Sequence, residues 1–179
     1  KKLLAIKDPY LCGVLARSLI SQNKKVPKKI WKKIATSPED QFYTIQIFEE
    51  DSLRNNLPKH WLKKDLIAKL KFYTYLSEDY ASAKMEDIEL LKIFPFEYKG
   101  EVSNIYAYKF TYEDSEDHHV GISALPAAKE AIDLSPYSFF NYSYEPVESG
   151  KEDETIDSFL EWYKTDNEKW EKEKLESEE

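Results

Sequence analysis

Six lysines crowd a short stretch: Lys24, Lys25, Lys28, Lys29, Lys32 and Lys33. Lys59, Lys63 and Lys64 follow farther on. On a helix, Lys25, Lys28, Lys29 and Lys32 share a face. We take these four as candidate binding residues for a phosphate backbone or an acidic protein surface. The plain alternative is a solvated helix face. The chain has only two arginines, Arg17 and Arg54. Arginine is the residue that reads phosphates and bases bidentately, so its scarcity argues against sequence-specific nucleic-acid recognition.

A second cluster joins Glu113, Asp114, Glu116 and Asp117 to His118 and His119. Carboxylates beside imidazoles can hold a divalent ion. In a strand, however, His118 and His119 point to opposite faces and cannot easily share one ion. The glycine and spaced acids of a calcium loop are absent. We therefore read the cluster as a solvated hairpin loop and expect no metal there. Cys12 lies on or beside an apolar helical stripe and is read as a small buried hydrophobe, not a nucleophile. His60 stands at a helix boundary. No nucleophile elbow, phosphate loop, dinucleotide fingerprint or zinc-protease motif occurs. We assign no catalytic residue and expect no cofactor.

The elements that position these groups divide the chain. Asp8-Pro9 is a helix start, and Leu11, Leu15 and Leu19 recur at i, i+4 and i+8 over Tyr10 to Gln22. Pro27 opens a second helix with Ile30, Trp31 and Ile34 inward. Ser37-Pro38-Glu39-Asp40 opens a third; its residues 42–48 suit a strand as well, and the start signal decides for helix. Helices are predicted over Lys59–Leu76 and Ser82–Phe94, the latter stopped by Pro95. Val102 to Thr111 alternates with period two, and Val120, Ile122 and Ala124 resume the alternation after EDSED. That is an antiparallel hairpin with an acidic loop. Tyr106, Phe110 and Ile122 are expected against helices. Pro126–Leu134 is read as a short helix or ordered loop, and Ser138–Tyr144 as a third strand. After a linker at Pro146–Gly150, a last helix sets Ile156, Phe159, Leu160 and Tyr163 on one stripe. The segment past Trp170 is expected to fray.

Two stretches align at an offset of 31 residues: VPKKIWKKIA at Val26–Ala35 and LPKHWLKKDL at Leu57–Leu66. With DPY, LAR and KKIATSP, they resemble HEAT-type or related α-helical repeats over residues 8–76. The resemblance implies stacked helix pairs, a binding scaffold and no catalytic residues.

The fold class expected is α+β: a helical array at residues 1–95, an antiparallel sheet of about three strands at 96–150, and an amphipathic helix with an acidic tail at 151–179. These are read as one compact domain, from a chain that starts with Lys and so suits a fragment of a longer protein. Net charge is −8. Residues 1–37 carry ten Lys/Arg against Asp8 alone, whereas 151–179 carry five Lys against twelve acids. Such asymmetry points to self-attraction of the ends or to a basic face with its own partner. No signal peptide or membrane-spanning run is visible, and one cysteine suits a reducing, cytoplasmic setting. The function expected is a non-enzymatic interaction or scaffold domain with a protein partner, forming the C-terminal part of a larger helical-repeat protein. The alternative is a hydrolase-like enzyme with a site at the helix–sheet junction near His118 and His119.

Overall fold

The structure, a computed structural model, describes residues 6–78, 83–128 and 140–177. The chain divides into two compact units, Lys1–Tyr80 and Ala81–Glu179. The first is helical. The second combines a four-stranded antiparallel sheet with a long helix. The architecture is α+β, with four strands where about three were expected.

In the helical unit, α1 (Pro9–Ser21) begins where Asp8 accepts a hydrogen bond from the Leu11 amide at 2.9 Å. The helix α3 (Pro38–Glu50) begins in the same way, with Ser37 Oγ accepting from the Asp40 amide at 3.2 Å. Each cap satisfies an amide left open by the first turn, and Pro fits the position whose N–H has no partner. Residues 42–48 are therefore helical. Between them lies α2 (Lys28–Ile34). The helix expected over Lys59–Leu76 is interrupted: a 3₁₀ turn spans Lys59–Leu62, Lys63 is extended (ψ 127°), and α4 runs Lys64–Glu78. Leu53 amide bonds Phe48 O at 2.7 Å, so a second turn at Arg54–Asn56 leads into Leu57-Pro58.

Burial in α1 centres on Cys12 and Ala16, both 0% exposed, while Leu11 is 50% exposed. The leucine stripe marks one flank of the buried face, because α1 has two neighbours, α2 and α3. The contacts with α3 advance together along both helices: Gly13 lies by Thr44, and Arg17, one turn on, by Asp51. The two helices thus run in the same direction. A Cβ on Gly13 would stand 2.7 Å from Thr44 Oγ1, so glycine is what allows this close approach.

The helix expected over Ser82–Phe94 does not form. Met85–Asp87 makes one 3₁₀ turn, and β1 (Glu89–Tyr98) follows. Pro95 does not end a helix; it sits in this strand at the sheet edge, where a missing N–H is tolerated. The β region thus begins at 89, not 96. Lys99 (φ 51°) and Gly100 (φ 81°) form a two-residue turn into β2 (Glu101–Phe110). Two positive φ values match the right-handed twist of a hairpin. Then come β3 (His119–Pro126) and β4 (Phe140–Tyr142), in the order β1-β2-β3-β4. The strand expected over Ser138–Tyr144 is shorter, its first residues lying outside the described set, as does most of Pro126–Leu134.

One sheet face is built from the pairs Phe94↔Ile105, Ile105↔Ala124 and Ala107↔Ile122. Against it packs α5 (Glu152–Ser177) through Ile156, Phe159, Leu160 and Tyr163. The docking stripe is the one the sequence marks. The backbone of α5 is helical to Ser177, through the segment past Trp170 where fraying is expected. Ile122 lies under α5, whereas Tyr106 and Phe110 are buried on the opposite face, because each stands an odd number of residues from Ala107.

Candidate functional site

The candidate lysines are presented by α2 and the approach to it. Lys28, Lys29 and Lys32 fall within about 100° of arc on the helix, opposite the buried Ile30 and Ile34. Lys25 precedes the helix, so it extends the charged surface without belonging to the helical face. All four are exposed. Among the described residues, no carboxylate pairs with any of them. Lys24 donates to Gln22 Oε1 at 2.7 Å. Lys33 turns partly inward, close enough to Cys12 to favour its thiolate, yet burial dominates and pushes the thiol's pKa up. That environment makes Cys12 a packing residue, not a nucleophile. Trp31, half-buried, makes edge contacts with Phe48 (5.8 Å) and Trp61 (5.5 Å), which tie the helix to its neighbours.

A cleft of about 110 Å³ opens between α1 and α3, lined by Tyr10, Gly13, Val14, Tyr43, Ile47 and Phe48 among others. Arg17 closes one end, its Nη2 2.9 Å from Asp51 Oδ1. Tyr43 donates to Glu78. Burial, then that hydrogen bond and the acids Glu39 and Asp40, push its phenol pKa up to about 12. The cleft can receive an apolar side chain. It offers no convergent acid and base.

His118 and His119 part as the strand geometry requires. His118 is exposed, with Nδ1 3.5 Å from Thr111 Oγ1. His119 is 3% exposed, its ring 4.3 Å from that of Tyr112 and 5.5 Å from that of Phe110. Its Nδ1 lies 3.2 Å from Ser143 O, and since a carbonyl only accepts, Nδ1 carries a hydrogen. The same carbonyl accepts from Tyr112 Oη at 3.3 Å. Burial, then Tyr144, push the Tyr112 phenol up to about 12. Ser143 also binds Val120 twice: its amide donates to the Val120 carbonyl at 2.8 Å, and its Oγ accepts from the Val120 amide at 3.1 Å. This is a structural knot that continues the β3 edge beyond β4. Its signal in sequence is only a Ser after SFFNY, which reasoning from motifs passes over.

Among the described residues, no three His, Cys, Asp or Glu side chains converge as metal ligands. Nor does any described helix have the length and apolarity to cross a membrane. The acidic loop is a turn in which Ser115 amide bonds Tyr112 O and Asp117 amide bonds Ser115 Oγ. Of the strand aromatics, Tyr106, Tyr108, Phe110 and Tyr142 are buried, Phe140 is half-buried, and Tyr144, just past β4, is 75% exposed.

No family model, curated protein or solved structure matches this chain.

Proposed function

We propose that the chain is a non-enzymatic protein-interaction domain and the C-terminal part of a larger helical-repeat array. The observation that carries this reading is the relation of α1 to α3. Aligned from their capped prolines, the two residues buried in α1, Cys12 and Ala16, correspond to Gln41 and Ile45, two of the five buried in α3. They run in the same direction side by side, as successive helices of a repeat stack do. The segments after them also correspond, with buried Val26 and Leu57 each followed by Pro and a helical turn.

The correspondence gives α1 an unmet surface. The α3 residues beside α1 include Asp40, Tyr43, Thr44, Ile47 and Phe48. Their counterparts on α1 are Leu11, Val14, Leu15, Ser18 and Leu19. Leu11 and Val14 are 50% and 49% exposed. α1 is thus more apolar where α3 is covered, yet Leu15 and Leu19 are only half-buried and Leu11 is open. A preceding helix pair fits that face. The lone, buried Cys12 fits the cytoplasm as the setting.

The test is the native polypeptide. Sequencing it upstream of Lys1 should reveal further units of about thirty residues. A native polypeptide starting at Lys1 sinks the array reading.

A further inference from the structure

We propose that the lysine face of α2 docks an acidic α-helix of another protein, one with carboxylates spaced at i and i+4. The proposal rests on the reading of the chain as an interaction domain and names the partner's chemistry. Lys28 and Lys32 lie one helical turn apart, about 6 Å along the axis. That is the spacing of carboxylates at i and i+4 on a facing helix. Lys29 and Lys25 widen the charged strip on either side. The stretch between Gln22 and Glu39 holds six lysines and no acidic residue. The strip's four positive charges have no internal partner among the described residues.

The competing polyanions fit less well. A nucleic acid calls for arginine forks and open aromatic rings. Both arginines of the chain are in ion pairs, Arg17 with Asp51 and Arg54 with Glu49. Trp31 is packed against Phe48 and Trp61. A bilayer surface calls for apolar anchors beside the charges. On α2 the aliphatic side chains Ile30 and Ile34 are buried. What remains is a convex strip of ammonium groups, which suits the exposed carboxylates of a protein helix.

Point charges in water bind weakly and with steep salt dependence. The experiment uses the full 179-residue chain and a fluorescent helical peptide with glutamate at every fourth position. Anisotropy should give a Kd on the order of 10–100 µM at low salt, weakening at least tenfold as salt is raised to about 0.3 M. Changing Lys28, Lys29 and Lys32 together to Gln should weaken binding about tenfold. Changing Lys59 and Lys63, exposed lysines on another turn, should alter it less than about twofold. Circular dichroism checks that both variants stay folded. Four results would overturn the proposal: no binding of the glutamate peptide; equal binding of a peptide with its glutamates scrambled off the i, i+4 spacing; tighter binding of a single-stranded oligoribonucleotide or of phosphatidylserine vesicles; or self-association of the chain that the lysine variant abolishes, which would make a second copy the occupant. Failure here leaves the upstream-repeat test standing, and a native chain starting at Lys1 leaves this binding test standing.

Discussion

Gly13 and Tyr112 carry consequences that belong to single side chains. A methyl at Gly13 would press on Thr44 Oγ1 at 2.7 Å, a separation at which something must shift. Overpacking costs about 1–3 kcal/mol, and the gain in helix propensity returns roughly 1 kcal/mol. Gly13→Ala should therefore lose about 1 kcal/mol in urea unfolding, and in a Thr44→Ala background the same change should be neutral or stabilising. Tyr112 gives a pH test. An unfolded tyrosine ionises near pH 10, whereas burial holds Tyr112 to about 12. Between those values the unfolded chain sheds a proton that the native state keeps. Stability is thus complete below about pH 10 and falls as pH rises toward about 12. Tyr112→Phe should remove part of that alkaline loss, read as a smaller drop in urea midpoint between about pH 9 and about pH 11 than wild type shows.

Among the elements, α5 and β1 differ most in how far their sequences reveal them. The α5 stripe is read correctly because helical periodicity alone reports it. Ile156 is 0% exposed beneath that helix, and all four packing residues precede Lys164. Ile156→Ala should cost about 2–5 kcal/mol. Deleting Glu171–Glu179 should cost under about 0.5 kcal/mol at ordinary salt, as exposed changes do. The reverse ranking, measured by thermal melts, would mean that charge holds the helix down. β1 is misread because Met85, Ile88 and Leu91 recur at helical steps and Pro95 looks like a stop. The alternation of Phe94, Phe96 and Tyr98 is present too, but what decides for strand is pairing with β2, a tertiary fact. A proline is admissible there only because β1 lies at an edge, and edge position is not written in local sequence. Pro95→Thr should restore an edge N–H and raise self-association, visible as a concentration-dependent sedimentation coefficient. The lysine face was legible as composition. That Lys25 stands off the helix, and that no carboxylate among the described residues answers the strip, needed the fold. The Ser143 knot was illegible, since one serine gives no signal until it meets Val120, His119 and Tyr112.

At the scale of the whole chain, the charge asymmetry follows the division into units. Lys1–Tyr80 holds sixteen Lys/Arg against nine acids, a net +7; Ala81–Glu179 holds ten against twenty-five, a net −15. A pI near 5.1 therefore describes neither unit. At pH 7 and low salt the chain should be retained by an anion exchanger, yet its binding to an acidic peptide should speed up as salt falls, because the basic unit sets the local field. A rate that rises with salt would show that the acidic unit dominates. Within the helical unit, the contact at Gly13 has a geometric outcome. At Gly13 the Thr44 side chain of α3 sits directly against the α1 backbone, whereas along α2 the rings of Trp31 and Trp61 fill the space between their segments, ring centres 5.5 Å apart. If units of this kind stack in series as proposed, close contact on one flank and bulky contact on the other would bend the series toward the α1–α3 flank, and a larger residue at the glycine's place would straighten it.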